Sequence, residues 1–184
     1  MNTVFTTIKE RRTVHFYEAK KLPEHLLKRA LEVAIFAPNH KLSNPWRFIL
    51  IGEKTREKIT DIAIFLKGRQ YDLSETALSK IRRKVGSSPE MLIVVQELSE
   101  NPDRRKEDYA ACACVIQNLS LALWSEGVGS KWSTGGFTRS DELYALLDID
   151  RDHQEIIGAV FVGYAEKVNS SARRPLDELL STTP

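Results

Sequence analysis

The run from Asp108 to Glu126 constrains this chain more than any other stretch, because it reads as one long helix with apolar residues on every side. Asp108 suits an N-cap and Gly127 a C′ stop. Between them only Gln117, Asn118 and Ser120 interrupt the apolar surface. A helix that is apolar all round is buried all round. The stretch is too short, and too polar in its second half, for a membrane span, which takes about 20 consecutive apolar residues. Two arrangements can cover it: the rest of this chain wraps it, or a second copy does. Ala110, Ala111, Ala113 and Cys114 are small enough to admit a close neighbour. The first arrangement needs no partner and is the simpler.

With 184 residues, 42% hydrophobic and 28% charged, a single soluble domain over residues 1–184 is expected. A net charge of +2 creates no field that calls for nucleic acid or a membrane as partner. The start of the chain lacks the basic and apolar regions of a signal peptide, and a cytoplasmic protein is expected. Cys112 and Cys114, two apart on a helix, point to different sides and suit neither a disulfide nor a shared metal. Two buried thiols fit a reducing compartment.

Phe5 to Glu10 reads as a short helix with Val4, Phe5 and Ile8 on one face, running into Arg11-Arg12-Thr13. Two guanidinium forks and a hydroxyl at a helix end suit an anion, although such a pair taken alone is usually a solvated face. Leu22-Pro23-Glu24 opens a second helix, with Leu26, Leu27, Ala30, Leu31, Val33 and Ala34 as its core face. A donor-rich loop, Ala37 to Trp46, leads to a strand at Arg47–Ile51. Lys54 to Leu66 is an amphipathic helix. Lys67 to Ser88 is polar and basic, weakly helical around Glu75 to Val85, and is expected to be a mobile surface segment such as a lid. Met91–Val95 is a buried-type strand, and Glu97 to Lys106 a charged turn. After the long helix come a glycine-framed turn, a short strand and the donor-rich Ser133-Thr134-Gly135-Gly136, then a helix at Asp141–Leu147 and a strand at Glu155–Tyr164. Roughly six helices interleaved with four strands imply α/β or α+β with one central sheet.

Several chemistries are absent. There is no Gly-x-Ser-x-Gly elbow, no phosphate P-loop and no Gly-x-Gly-x-x-Gly after a strand. His15, His25, His40 and His153 show no metal-ligand spacing. What remains is a scatter of anion-binding and hydrogen-bonding groups in loops: Arg11, Arg12, Thr13, His40, Asn44, Ser133, Thr134, Arg173 and Arg174. Such a set suits a ligand with a phosphate at one end and a polar ring at the other.

Arg11-Arg12-Thr13-Val14-His15-Phe16 resembles the Arg-Arg-Ser-x-Arg-x-Phe opening of the nitroreductase family of flavoenzymes. Ala37-Pro38-Asn39-His40-Lys41-x-x-Asn44-Pro45-Trp46 is similar to that family's loop ending in Gln-Pro-Trp. Gln117-Asn118-Leu119, the Gly-Val-Gly turn, Trp132, the Gly158…Gly163-Tyr164 strand and the tail Arg173-Arg174-Pro175-Leu176-Asp177-Glu178 follow in the family's order. The length and the Pro-Asn-His-Lys variant most resemble the short, YdjA-like type. Leu42 and Asn44 depart from the asparagine and glutamine of many relatives.

The resemblance implies an α+β fold with a central mixed sheet flanked by helices, and an obligate homodimer with FMN at the subunit interface. It implies an NAD(P)H-dependent oxidoreductase working by ping-pong on nitroaromatic, quinone or similar small acceptors. Carried over, Arg11, Arg12 and Thr13 would hold the FMN phosphate and ribityl chain, with Arg173 or Arg174 adding a cation. His40 and Asn44 would reach the flavin from the other subunit, and Trp132, Ser133 and Thr134 would line its ring. His15 falls where relatives often place a cation near flavin N1, a role neutral histidine fills less well than arginine or lysine. No side-chain acid or base is implied, because the flavin carries the chemistry. The alternatives are a flavin carrier without NAD(P)H turnover and a basic-surface binder acting through Lys67–Lys84. By composition alone, Trp46 and Trp132 read as core, His40 as a loop-ordering residue and Arg173-Arg174 as a solvated tail.

Overall fold

The central helix is longer than its apolar run. In the structure, a computed structural model that describes residues 3–183, it spans Pro102–Ser125. Met1 and Asn2, where the leader reading begins, lie outside the described residues. In chain order the elements are α1 Thr3–Glu10, α2 Glu24–Ala34, β1 Trp46–Leu50, α3 Glu53–Gly68, α4 Glu75–Gly86, β2 Glu90–Glu97, α5 Pro102–Ser125, β3 Gly129–Ser133, α6 Asp141–Leu146 and β4 Gln154–Gly163. Short 3-10 turns lie at His40–Leu42, Gly136–Arg139 and Leu176–Glu178.

Asp108 is not the N-cap of α5. Asn101 is, its side chain accepting from the backbone N–H groups of Asp103 and Arg104, with Pro102 in the first turn. The two turns read as a charged loop are rich in Arg, Lys and Glu, which are good helix formers when solvent covers them. Asp108 is instead buried inside α5, ion-paired to Arg104 at 3.2 Å and accepting from Ser43 Oγ at 2.9 Å. The other end behaves as read. Gly127 has φ +74, and Gly127 N–H and Val128 N–H donate to Trp124 and Leu123 carbonyls, closing a Schellman cap.

The strands form one sheet in the order β1-β2-β4-β3 with every neighbour antiparallel. The parallel pairing of a mixed sheet is confined, among the described residues, to the single bridge Thr13–Ser130 beside β3. A longer parallel pair needs two full strands joined by a crossover, and the chain near Thr13 is extended only briefly. A bulge between Val94 and Val95 makes Ile157 the extra residue of β4 and shifts its inside–outside alternation.

The sheet is covered on both faces. One cluster joins α2 and α5 to Leu92, Val94, Val160 and Val162. The other joins α3, α4 and α6 to Met91, Ile93, Val95, Ala159 and Phe161. Each fully buried Leu or Ile of α5, such as Ile116, Leu119 and Leu123, contributes on the order of 1.5–3 kcal/mol.

Burial of α5 is nevertheless one-sided. Tyr109 is 44% exposed, and Ala110, Cys114 and Gln117 also face outward. Of the two thiols only Cys112 is buried; Cys114 is exposed, as expected for positions two apart on a helix. Val33 of α2, read as core, is 53% exposed, and Phe36 is 85% exposed. The polar Lys67–Ser88 segment is ordered structure rather than a loose flap. Ser74 caps α4, Val85 is buried, and Ile81 packs against the core. Among the described residues no helix is long and apolar enough to cross a membrane.

Candidate functional site

Two features bring the Arg11 segment onto the sheet. Val14 N–H donates to the Ser130 carbonyl at 3.1 Å, and the fully buried Val14 side chain sits over Gly129, where a Cβ would overlap it. Three residues on, Tyr17 is buried and its hydroxyl donates to the carbonyls of Val14 and Phe161. Burial pushes the Tyr17 phenol far above its ordinary range, so it stays a neutral donor. The chain from Arg11 to Tyr17 is thus pinned to edge strand β3 at Thr13 and Val14 and to β4 and Ala165 at Tyr17.

At the start of this segment Arg11, Arg12, Thr13 and His15 face Asn169, Ser170, Ser171 and Arg173 across a cavity of about 330 Å³. Among the described residues no carboxylate lines it. Arg12 is anchored to the Lys9 and Arg11 carbonyls, and Arg173 to Ser171 Oγ and the Ala172 carbonyl. Arg11 Nε is buried and makes no hydrogen bond. Burial lowers the Arg11 pKa first, then the like charges of Arg173 and Arg12. Guanidinium does not give up its proton in proteins, so the crowding is a standing demand for an anion. Arg173, not Arg174, lines this cavity.

The far end of β3 opens on a second cavity of about 300 Å³. Ser133, Gly135 and Gly136 form one wall, and Lys67, Gln70 and Lys84 bring polar groups from α3, its C-terminal turn and α4. Among the described residues it has two lysines and no carboxylate. Neither Thr134 nor Trp132 lines it. Trp132 points to the opposite face of the sheet, its indole N–H donating to the Ile157 carbonyl at 3.3 Å above Gly158. It is 36% exposed, so it is not the core residue that composition suggests.

Within one chain His40 and Asn44 do not join either cavity. They belong to a loop held against the start of α5, beside a third cavity of about 590 Å³. His40 Nδ1 lies 2.7 Å from Glu107 Oε2, and Arg104 donates to the His40 carbonyl. The Asn44 amide donates to the Leu42 carbonyl at 3.0 Å. Lys41, Leu42 and Asn44 all adopt positive φ, between 45° and 53°, which costs a non-glycine residue roughly 1–2 kcal/mol.

Sequence reasoning passed over Asn169–Ser171 and Lys131, and weighed Lys84 only as part of a basic surface. Among the described residues no cluster of metal ligands exists.

The Nitroreductase family profile matches residues 8–164. The putative NAD(P)H nitroreductase YfhC of Bacillus subtilis is 30% identical over 169 residues, covering 91% of this chain and 87% of its own. The putative NAD(P)H nitroreductase YdjA of Escherichia coli K12 is 26% identical over 152 residues, covering 81% of each. Among solved structures, a nitroreductase-like family protein from Bacillus cereus superposes with a TM-score of 0.83 at 30% identity, covering 100% of this chain and 97% of that one. A putative nitroreductase from Desulfovibrio desulfuricans, in complex with FMN, gives 0.79 at 22% identity, covering 100% and 98%, a likeness of fold. The fold and its cationic edge define an α+β chain built on an antiparallel sheet. This chain belongs to the Nitroreductase family.

Proposed function

We propose that this chain is an FMN-dependent NAD(P)H oxidoreductase that acts as a homodimer on nitroaromatic, quinone or similar acceptors, with residues 1–184 forming one cofactor-binding unit in the cytoplasm. The observation that carries this is the three-arginine cavity without a counter-charge at one end of β3, with the buried, unpartnered Arg11 Nε beside it. Guanidinium forks suit a phosphate dianion, and Thr13 adds a hydroxyl. From Ser130, bridged to Thr13, to Ser133 is three strand residues, about 10 Å. That reach is comparable to a ribityl chain with its phosphate ester. At its end Ser133, the main chain of Gly135-Gly136 and Lys84 fit the polar edge of an isoalloxazine ring. The names of the relatives support the same cofactor and reductant.

The bound flavin supplies acceptance of a hydride from nicotinamide and its delivery to the acceptor. The chain's own residues bind and orient. Arg11, Arg12 and Arg173 hold the anionic end, and Ser133 and Lys84 face the ring. Two copies would bring His40 and Asn44 of one chain to the cavities of the other. Val4, Phe5 and Ile8 on α1, each at least 50% exposed, and the exposed Phe36 and Tyr109 give such a contact an apolar surface.

The test is colour and its bleaching. The purified protein should be a yellow dimer, and anaerobic NADPH or NADH should bleach it, after which a nitroaromatic or quinone restores the colour. Yellow protein that no nucleotide bleaches would favour a flavin carrier. A colourless monomer indifferent to FMN would remove the proposal.

A further inference from the structure

Lys131 sits on β3 between the two ends of the site just described. Strand alternation puts its side chain on the same sheet face as Ser133 and opposite Trp132. It is 5% exposed, and its Nζ makes no hydrogen bond. Its close neighbour is the Phe161 ring, 4.3 Å away at the centroid. The charged group acting on it is another cation, Lys84 of α4, which lines the ring cavity. The ring face attracts the ammonium, but burial without a hydrogen bond and beside a like charge still makes it costly. Such a group persists where a negative charge arrives to complete it.

His15 lines the arginine cavity with Arg11 and Thr13, at the anionic end rather than among the residues of the ring cavity. We infer that Lys131 acts on the ring end of the site: together with Lys84, which lines the ring cavity, its buried ammonium provides the positive field that holds the negative charge of the reduced flavin. This rests on the flavin reading above. Lys131 does not touch the ring in this role; it acts through its field, two residues or about 7 Å along the strand from Ser133. A unit charge about 10 Å away, at an effective dielectric constant of about 20, changes an equilibrium by roughly tenfold or more.

The experiment is the midpoint potential of bound FMN in the native protein, in Lys131→Met, which keeps the apolar stem, and in Lys131→Arg. The Met variant should still bind FMN but prefer the reduced form about tenfold less, a fall of about 30 mV for a two-electron couple. The Arg variant should recover the native potential. FMN bound by the Met variant at the native potential overturns the inference. A measurement on the native chain alone guards against a variant that fails to fold. Lysine side-chain NMR should show Lys131, pushed down to about 8 by burial and Lys84 in the free protein, titrating higher once FMN is bound and higher again once it is reduced. Titration that ignores loading overturns the inference. If the native chain holds no FMN at all, the flavin reading falls and takes this one with it, which separates that failure from an unmoved potential.

Discussion

Replacing Arg11 by methionine should stabilise the empty protein while crippling its hold on phosphate. Arg11 Nε is buried without a partner, and Arg12 and Arg173 crowd it with like charge. An unsatisfied buried donor costs about 1–3 kcal/mol, and methionine keeps much of the packing without it. A gain of about 1 kcal/mol corresponds to a rise of roughly 2–4 °C in Tm for a domain of this size. With FMN present the sign reverses. Losing one charge-assisted hydrogen bond to phosphate costs about 1.5–3 kcal/mol, or roughly 10- to 150-fold in Kd. Riboflavin, which lacks the phosphate, is the internal control. Fluorescence titration of both ligands should show native protein strongly preferring FMN and the variant losing most of that preference, with riboflavin affinity little changed. Thermal unfolding of the free protein, with and without inorganic phosphate, completes the set. Native protein should gain Tm with phosphate by mass action, and the variant should gain less. An FMN-to-riboflavin ratio that stays native, or a free variant several degrees less stable, would refute the reasoning, because Arg11 would then be a structural residue.

Other perturbations follow from the same geometry. Gly129→Ala places a methyl into Val14, so it should cost about 1–3 kcal/mol in denaturant unfolding and loosen FMN by displacing the Arg11–Thr13 segment. Arg104→Met leaves the buried Asp108 without its cation and frees the His40 carbonyl, so a loss of about 3–5 kcal/mol is expected, partly recovered in the double variant with Asp108→Asn. Between pH 8 and 9 the free protein should become more stable as pH rises. Lys131 has a folded pKa of about 8 and an unfolded value near 10.5, so over that window the unfolded chain binds more protons. Above pH 9 the gain is opposed, because burial raises the Cys112 thiol to about 12 and it remains protonated only when folded. Unfolding free energies from pH 7 to 9 should show the rise in native protein and not in Lys131→Met.

Periodicity carried most of the fold. The long helix, the buried strands at Met91–Val95 and Glu155–Tyr164 and the glycine stop at Gly127 were all readable from residue order. The first turns of α5 were not, because Asp103-Arg104-Arg105-Lys106-Glu107 has no apolar periodicity until Asn101 is known to cap it. Spacing likewise cannot show that the sheet is antiparallel throughout its named strands, since register depends on which edges meet. In the candidate site, Arg11 and Arg12 stood out as paired cations, but which tail arginine faces them depends on how residues 169–173 fold back. Lys84 looked like one charge in a solvated run, and Lys131 like an ordinary strand lysine. Their significance lies in what is missing around them, and a sequence does not list missing neighbours. The left-handed conformations of Lys41, Leu42 and Asn44 were equally hidden, because glycine usually signals them.

The arginine cavity draws one wall from residues 11–15 and the other from residues 169–173. During synthesis the first wall leaves the ribosome long before the second and waits, its guanidinium groups exposed, until residues 169–173 have emerged. Edge strand β3, on which that wall rests, follows it by more than a hundred residues, so Arg11 and Arg12 have neither a seat nor an opposing surface until both have been made. On the proposed flavin reading, cofactor capture has to wait for residues 169–173, and a nascent chain stalled after β4 would have most of its hydrophobic interior yet lack one wall of the phosphate cavity.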